Sequence, residues 1–195
     1  MYVPAHFTAS DEDVAPLLDG THLVDLISPT VDGLVATPLP MLRHGTSLLG
    51  HVARNNPHWR ASVTGESMVI ARGPDAYVSP AWYAAKREHG RVVPTWNYLI
   101  AHVYGELVVH DDIEWLRSLV TRLTGQNEAG RPDPWSVDDA PATFVEGQLR
   151  AIVGLELRIA RIEGKAKLSQ NRSGADRAGV VAGLNAHPMA RLING

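Results

Sequence analysis

The sequence predicts a mainly β (α+β) fold, a small barrel with peripheral helices, and three observations predict it. Runs rich in Val, Ile, Tyr and Trp follow one another across short turns, in the style of sequential antiparallel strands. Helical periodicity is confined to a few stretches at the margins of those runs. Strand and helix do not alternate regularly, which argues against a doubly wound sheet.

Ser10-Asp11-Glu12-Asp13 ahead of Val14, Leu17 and Leu18 reads as a capped short helix, ended by Gly20. THLVDLIS, a turn over Pro29 to Gly33, and GLVATPLPML then read as a strand pair. Pro38 and Pro40 predict that the second strand ends there or lies at an edge. SLLGHVA over 47–53 is a third strand, broken by Arg54-Asn55-Asn56-Pro57, where Asn before Pro signals a helix start. SMVIARG over 67–73 is a fourth, closed by Gly73-Pro74-Asp75. Val92 to His110 reads as one long strand, or two with a bend near Gly105.

The period then changes. Ile113, Leu116, Leu119, Val120 and Leu123 fall at helical spacing over 111–125, behind the acidic start Asp111-Asp112. EAGRPDPWSVDDAP is a loop, a short helix follows through 142–149, and IVGLELRIARIEG is a further strand. SGADRAGVVAGLNAH is the last helix, with Ser173 as its cap. The expected organisation is a single domain over 1–195 with a helical appendage over 173–195.

Bulk properties narrow the function classes. The 195 residues are 45% hydrophobic and 20% charged, ordinary for a globular chain. A formal net charge of −3 and a pI near 6.3 leave no basic footprint for nucleic acid. The absence of cysteine removes disulfides, thiolate metal sites and cysteine nucleophiles. No secretory pattern opens the chain, and no apolar run approaches the roughly 18 residues of a membrane helix, so the expectation is a cytoplasmic protein. The nine histidines are scattered and form no ligand pair with nearby acids, so no metal is expected. GxGxxG, P-loop, HExxH and GxSxG signatures are lacking.

Four segments carry more polar and aromatic residues than a core needs. GHVARNNPHW ends a strand, where orphan backbone N–H groups, an arginine and an imidazole suit a phosphate; a solvated helix start is the plainer reading. GPDAYVSPAWY offers three aromatics to a flat ligand, or a plug for a barrel end. VPTWNY places Trp96, Asn97 and Tyr98 alternately on two faces of a strand, a wall for a planar heteroaromatic or an ordinary barrel mouth. KAKLSQNRS carries Lys167 and Arg172 ahead of a helix, a phosphate or ribityl clamp or a solvated basic connector.

Taken in order, MYVPAHF, LLGHVARNNPHW, GPDAYVSPAWY, VPTWNYLIAHVYG and KLSQNRS resemble the PaiB family of FMN-binding proteins, often labelled negative transcriptional regulators. The resemblance runs from Met1 through the last helix. It implies an FMN-binding split β-barrel, similar to pyridoxamine-phosphate oxidases and flavin reductases, with the flavin at the interface of a homodimer. It carries the phosphate to His51, Arg54 and Asn55, and the isoalloxazine edge to backbone groups of Thr37 and Leu39. Trp96, Asn97 and Tyr98 are expected to wall the ring with Tyr77 and Trp82. Lys167, Gln170, Asn171 and Arg172 are expected to close over the ribityl phosphate from the partner subunit. Pro38 departs from the family, which often has a polar residue before Leu-Pro, and removes one backbone donor.

The function this implies is an FMN-binding flavoprotein with oxidoreductase capacity, served by a nicotinamide cofactor or a small-molecule substrate. FMN would carry the electron chemistry while the protein orients it. Tyr98 or His102 are the nearest candidates for assisting proton transfer, against a structural role for His102 on an apolar strand. The rival reading is a flavin-responsive negative regulator, although helix 111–125 is a poor face for DNA. An inert flavin store is the third.

Overall fold

In a computed structural model, which describes residues 1–194, six antiparallel strands carry the sheet. They are β1 (His22–Thr30), β2 (Gly33–His44), β3 (Ser47–Ala53), β4 (Ser67–Val78), β5 (Thr95–His110) and β6 (Ile152–Lys167). The helices are α1 (Asp11–Leu18), α2 (Ala85–Glu88), α3 (Ile113–Glu128), α4 (Ala142–Arg150), α5 (Gly174–Leu184) and α6 (Pro188–Asn194). The strand order β1-β2-β3-β6-β5-β4 closes on itself as a barrel. Gly195, the last residue of the expected appendage, lies outside the described residues.

The chain divides into two compact units. One holds Ala15–Ala71 and His102–Ile162, and contains β1, β2, β3, α3 and α4 with parts of β4, β5 and β6. Its interior is lined by Leu26, Val69, Val103, Val153, Leu155 and Leu157, all fully buried. α3 sits on β2 and β3 through Leu119 and Leu123 against Leu42 and Leu49, and meets α4 through Leu116, Val145 and Leu149. β3 is therefore buried on both faces, which explains why SLLGHVA reads as a continuous apolar run. Where β5 meets β6, a side chain at Gly105 would place its Cβ 1.9 Å from the Arg158 carbonyl oxygen. The strand passes that glycine without breaking, so one long strand stands in place of two.

The other unit holds Met1–Val14, Arg72–Ala101 and the chain from Glu163 onward. Its core comprises Phe7, Val78, Tyr83, Leu99, Ala166, Val180, Met189 and Ile193. The aromatic turn docks on α5 at two glycines. A Cβ on Gly179 would lie 2.0 Å from the Trp82 carbonyl oxygen, and one on Gly183 would lie 2.3 Å from its indole.

The prolines show what a one-dimensional reading misses. β2 does not end at Pro38 or Pro40; it runs on to His44. In the β1–β2 register Pro38 faces Asp25, Pro40 faces Leu23 and Pro29 faces Leu34. All three fall on the same alternate set of pairs, the set that exchanges no hydrogen bonds in an antiparallel ladder, so no donor is missed. β3 joins β2 only from Met41 onward, so up to Pro40 the other side of β2 is an edge, as expected. β4 likewise continues through Gly73-Pro74 to Val78, because its pairing with β1 stops at Ile70. Asn56-Pro57 begins only a 3-10 turn, Pro57–Arg60, in which the Asn56 side chain accepts from the His58 N–H. The expected last helix, 173–187, is α5, which stops at Leu184 ahead of Asn185 at a positive φ of 53°, and α6 is a further helix beyond it.

Candidate functional site

Within the unit built on Arg72–Ala101 and the C-terminal segment, β5 and β6 run side by side into a turn that opens α5. Ser169 occupies the left-handed region at φ 64°. The turn is held there by side chains rather than by glycine. Asn97, fully buried on β5, donates from Nδ2 to Ser169 Oγ at 2.9 Å. The Gln170 amide accepts from the Leu168 N–H at 2.7 Å and donates to the Ala166 carbonyl at 2.6 Å. Both ends of Gln170 are thus spent on the turn itself, and Ser173 caps α5 by accepting from the Asp176 N–H.

This turn forms one wall of a cleft of about 160 Å³ lined by Tyr83, Thr95, Lys167, Asn171 and Arg172 among others. Lys167 Nζ donates to Thr95 Oγ1 at 2.5 Å, and the Arg172 guanidinium lies 4.7 Å from the Tyr83 ring centre. Among the described residues neither cation pairs with a carboxylate. The Tyr83 side chain is 1% exposed, and its hydroxyl is buried with no hydrogen-bond partner. Two uncompensated cations and an orphan hydroxyl in one small cleft are the chemistry of an anion site.

The opposite face of β5 carries Trp96 and Tyr98. They line a second cleft, of about 440 Å³, with Arg72, Asp75 and Lys165, and Tyr77 stands edge-on to Trp96 at 6.2 Å. The structure therefore does not bring the expected ring wall together: Asn97 faces one cleft, while Trp96 and Tyr98 face another. Trp82 lies in neither, packed on α5 through Gly179 and Gly183.

In the unit built on Ala15–Ala71, the expected phosphate group of residues is differently employed. Arg54 donates from Nε to the Arg150 carbonyl at 2.6 Å, from both terminal nitrogens to Asp111, at 2.9 and 2.5 Å, and from one of them to the Ile152 carbonyl at 3.1 Å. Four of its five N–H groups are engaged within the chain. The hydrogen bond to Asp111 pushes the Arg54 pKa further up and holds the Asp111 carboxyl below the ordinary range. Asn55 is exposed on the turn beside it. His51 shares a face of β3 with Leu49 and opens on two clefts, of about 240 and 290 Å³, lined also by Thr124 and Trp135. Its Nδ1 is buried without a partner, and burial pushes its pKa down.

Thr37 and Leu39 both point into the core. They occupy the hydrogen-bonded pairs with β1, opposite Leu26 and Val24, so their backbone groups face that neighbour. The Thr37 hydroxyl bonds the fully buried His58 at Nδ1, 2.9 Å, whose Nε2 meets Ser28 Oγ at 2.8 Å; Ser28 bonds Ser67 at 2.6 Å. Burial pushes the His58 pKa down, keeping the imidazole neutral. A similar set joins His110 to Glu156 at 2.7 Å and Glu156 to Ser47 at 2.7 Å. Burial alone would raise the Glu156 pKa, but the Ser47 and His110 hydrogen bonds outweigh it and the value falls below the ordinary one. Tyr83 and Thr95 stand in the GPDAYVSPAWY and VPTWNY segments singled out in the sequence but not among the expected flavin contacts, because only the fold reveals that the Tyr83 hydroxyl is unpaired and that Thr95 meets Lys167.

Comparison with known proteins decides the family. Residues 1–161 match the profile described as "Putative FMN-binding domain". The chain belongs to this family. It is 31% identical to the Bacillus subtilis protein named "Protease synthase and sporulation protein PAI 2", covering 99% of this chain and 96% of that one. An uncharacterized protein of Emericella nidulans is 32% identical over 91% of this chain and 79% of its own. Among solved structures, the FAD and heme binding protein from Mycobacterium smegmatis superposes with a TM-score of 0.60 at 22% identity, covering 81% of this chain and 71% of that one. A flavocytochrome from Azotobacter vinelandii gives 0.58 at 17%, covering 85% and 68%. These likenesses show the split-barrel fold expected from the sequence. Membership makes the chain an FMN-binding flavoprotein of the PaiB type. Lys167, Arg172 and the orphan Tyr83 hydroxyl fit the phosphate of that cofactor. Among the described residues no helix is long and apolar enough to cross a membrane.

Proposed function

We propose that the Lys167–Arg172 cleft seats the FMN phosphate and that the protein is a flavin-dependent oxidoreductase, cytoplasmic and homodimeric. The observation that carries this reading is the pair of cations without carboxylate partners around the unpaired Tyr83 hydroxyl. A phosphate dianion accepts from all three and from the Asn171 amide, converting stranded donors into charge-assisted hydrogen bonds. Asn97, Ser169 and Gln170 act as positioning residues that hold the turn, and Thr95 aims Lys167. Bound FMN supplies hydride and electron transfer.

A cleft of about 160 Å³ is smaller than the roughly 300 Å³ at which ligand clefts begin, so it takes the phosphate end and leaves the ring outside. A second copy of the chain covering that ring is the arrangement we favour, and Val93, 63% exposed on the cleft's rim, offers apolar surface for it. Arg54, saturated by Asp111 and two carbonyls, acts in this reading as a strut between β3 and β6.

Titrating the apoprotein with FMN tests the site through the flavin absorption band. Arg172→Ala and Lys167→Ala are each expected to weaken binding about tenfold or more, the worth of a charge-assisted hydrogen bond. Unchanged affinity in both variants would remove the phosphate from this cleft. Anaerobic addition of NADH or NADPH then tests the redox role. A bound flavin that neither donor bleaches would sink the oxidoreductase reading, and a salt-sensitive shift of promoter DNA would favour the regulator.

A further inference from the structure

We infer that the cleft on the other face of β5 is a second ligand site, separate from the phosphate cleft, that takes a flat aromatic anion. The two clefts share no lining residue. Strand alternation separates them: Thr95 and Asn97 look one way, Trp96 and Tyr98 the other. At about 440 Å³ the second cleft falls within the ordinary range for small-molecule sites, roughly 300–1,000 Å³.

Its chemistry is specific. Trp96 is 53% exposed, so an indole face is presented to solvent rather than packed. Lys165 carries its ammonium 5.5 Å from the Tyr98 ring centre and 5.7 Å from that of Tyr2, and donates one hydrogen bond, to the Tyr2 carbonyl at 3.1 Å. Among the described residues no carboxylate pairs with Lys165. An ammonium held against aromatic rings is attracted by them and leaves its remaining donors available. Arg72 and Asp75 add one charge of each sign to the lining, and Lys165 is the cation that stands beside the aromatic wall. A planar ring stacked on Trp96 with an acidic substituent reaching Lys165 satisfies both features. A neutral ring would forgo the cation, and a small inorganic anion would forgo the aromatic wall.

This inference stands on its own residues and requires only that FMN does not occupy this cleft. The probe is 2-naphthoate, titrated calorimetrically into the full chain, with methyl 2-naphthoate as its uncharged counterpart. The acid is expected to bind, and the ester about tenfold or more weaker, because it brings no negative charge to pair with the ammonium. Lys165→Met is expected to lose a similar factor for the acid, while binding FMN as the unaltered protein does. That FMN titration also serves as the control that the variant folds. Absence of naphthoate binding, equal binding of acid and ester, or full binding by Lys165→Met would overturn the proposal. So would competition: if saturating FMN displaced naphthoate, the cleft would be the flavin's own. Failure of the phosphate reading would instead appear in Arg172→Ala, which leaves naphthoate binding untouched.

Discussion

Arg54 and Arg172 carry the same guanidinium into opposite surroundings. Arg54 spends four N–H groups on Asp111 and two backbone carbonyls, in the unit where His58, Thr37, Ser28 and Ser67 also satisfy one another. Arg172 meets a tyrosine ring and no carboxylate, in the unit where the Tyr83 hydroxyl is left unpaired. Polar groups engaged within the chain rigidify a fold and leave little for a ligand, a single N–H in the case of Arg54. Unsaturated ones cost stability and are retained where something else binds. Both arginines stand in basic, polar segments, so what separates them is the partners that each meets in the fold.

The largest expected effect comes from breaking the saturated side. His58→Ala removes a fully buried ring and takes one partner from each of the Thr37 and Ser28 hydroxyls, at a cost of about 3 kcal/mol. Urea unfolding measures it, and the FMN affinity of the protein that remains folded is expected to be unchanged. A loss confined to affinity would reverse the assignment of the two regions. Next comes Gly179→Ala, whose new Cβ meets the Trp82 carbonyl oxygen, for about 2 kcal/mol. This change falls in the unit that holds the Lys167–Arg172 cleft but on its scaffold. It is expected to lower stability and, because Tyr83 follows Trp82 directly, to weaken FMN as well. Arg172→Ala should do only the second.

Much of this architecture was legible before any coordinates. The strands announce themselves by composition, α3 by its period, and the KAKLSQNRS segment by pairing cations with amides ahead of a helix. Lys167, Asn171 and Arg172 do line one cleft. What could not be read is whatever depends on partners distant in sequence. Asp111 lies 57 residues from Arg54, and no local pattern announces that it neutralises the arginine. The prolines of β2 read as strand breakers because their harmlessness depends on register with β1, which only the folded pair defines. Trp96, Asn97 and Tyr98 read as one wall because they are neighbours, although alternation sends them to two clefts.

The unit built on Ala15–Ala71 also carries a pH signature. His58 and His51 both have pKa values lowered by burial, so the unfolded chain binds protons that the native state refuses. Their contribution is present above the ordinary imidazole value of 6.5 and is lost as pH falls below it. Stability between pH 7 and 5 is therefore expected to decline, by at most about 1.4 kcal/mol per pH unit for each group. His58→Gln should flatten part of that slope. The remainder belongs to His51, whose Nδ1 has no partner to lose. Asp111 and Glu156, with lowered carboxyl values, add their own losses only at lower pH, below the ordinary values of 3.8 and 4.5.

The smallest effect separates the two regions by sign. Tyr83→Phe deletes a buried hydroxyl that bonds nothing, so the unliganded protein is expected to gain up to about 1 kcal/mol, since an orphaned polar group is costly to bury. Deleting a hydroxyl from the saturated side, as in Ser28→Ala, strands Nε2 of His58 and should destabilise by a similar amount. With FMN present the Tyr83→Phe gain is expected to shrink or reverse, because the bound phosphate pairs the hydroxyl that was idle without it. Unfolding midpoints of both variants, with and without FMN, make the comparison within one experiment. If Tyr83→Phe destabilised the unliganded protein as Ser28→Ala does, the Tyr83 hydroxyl would be part of the scaffold, and the cleft would lose the observation that marks it as a site.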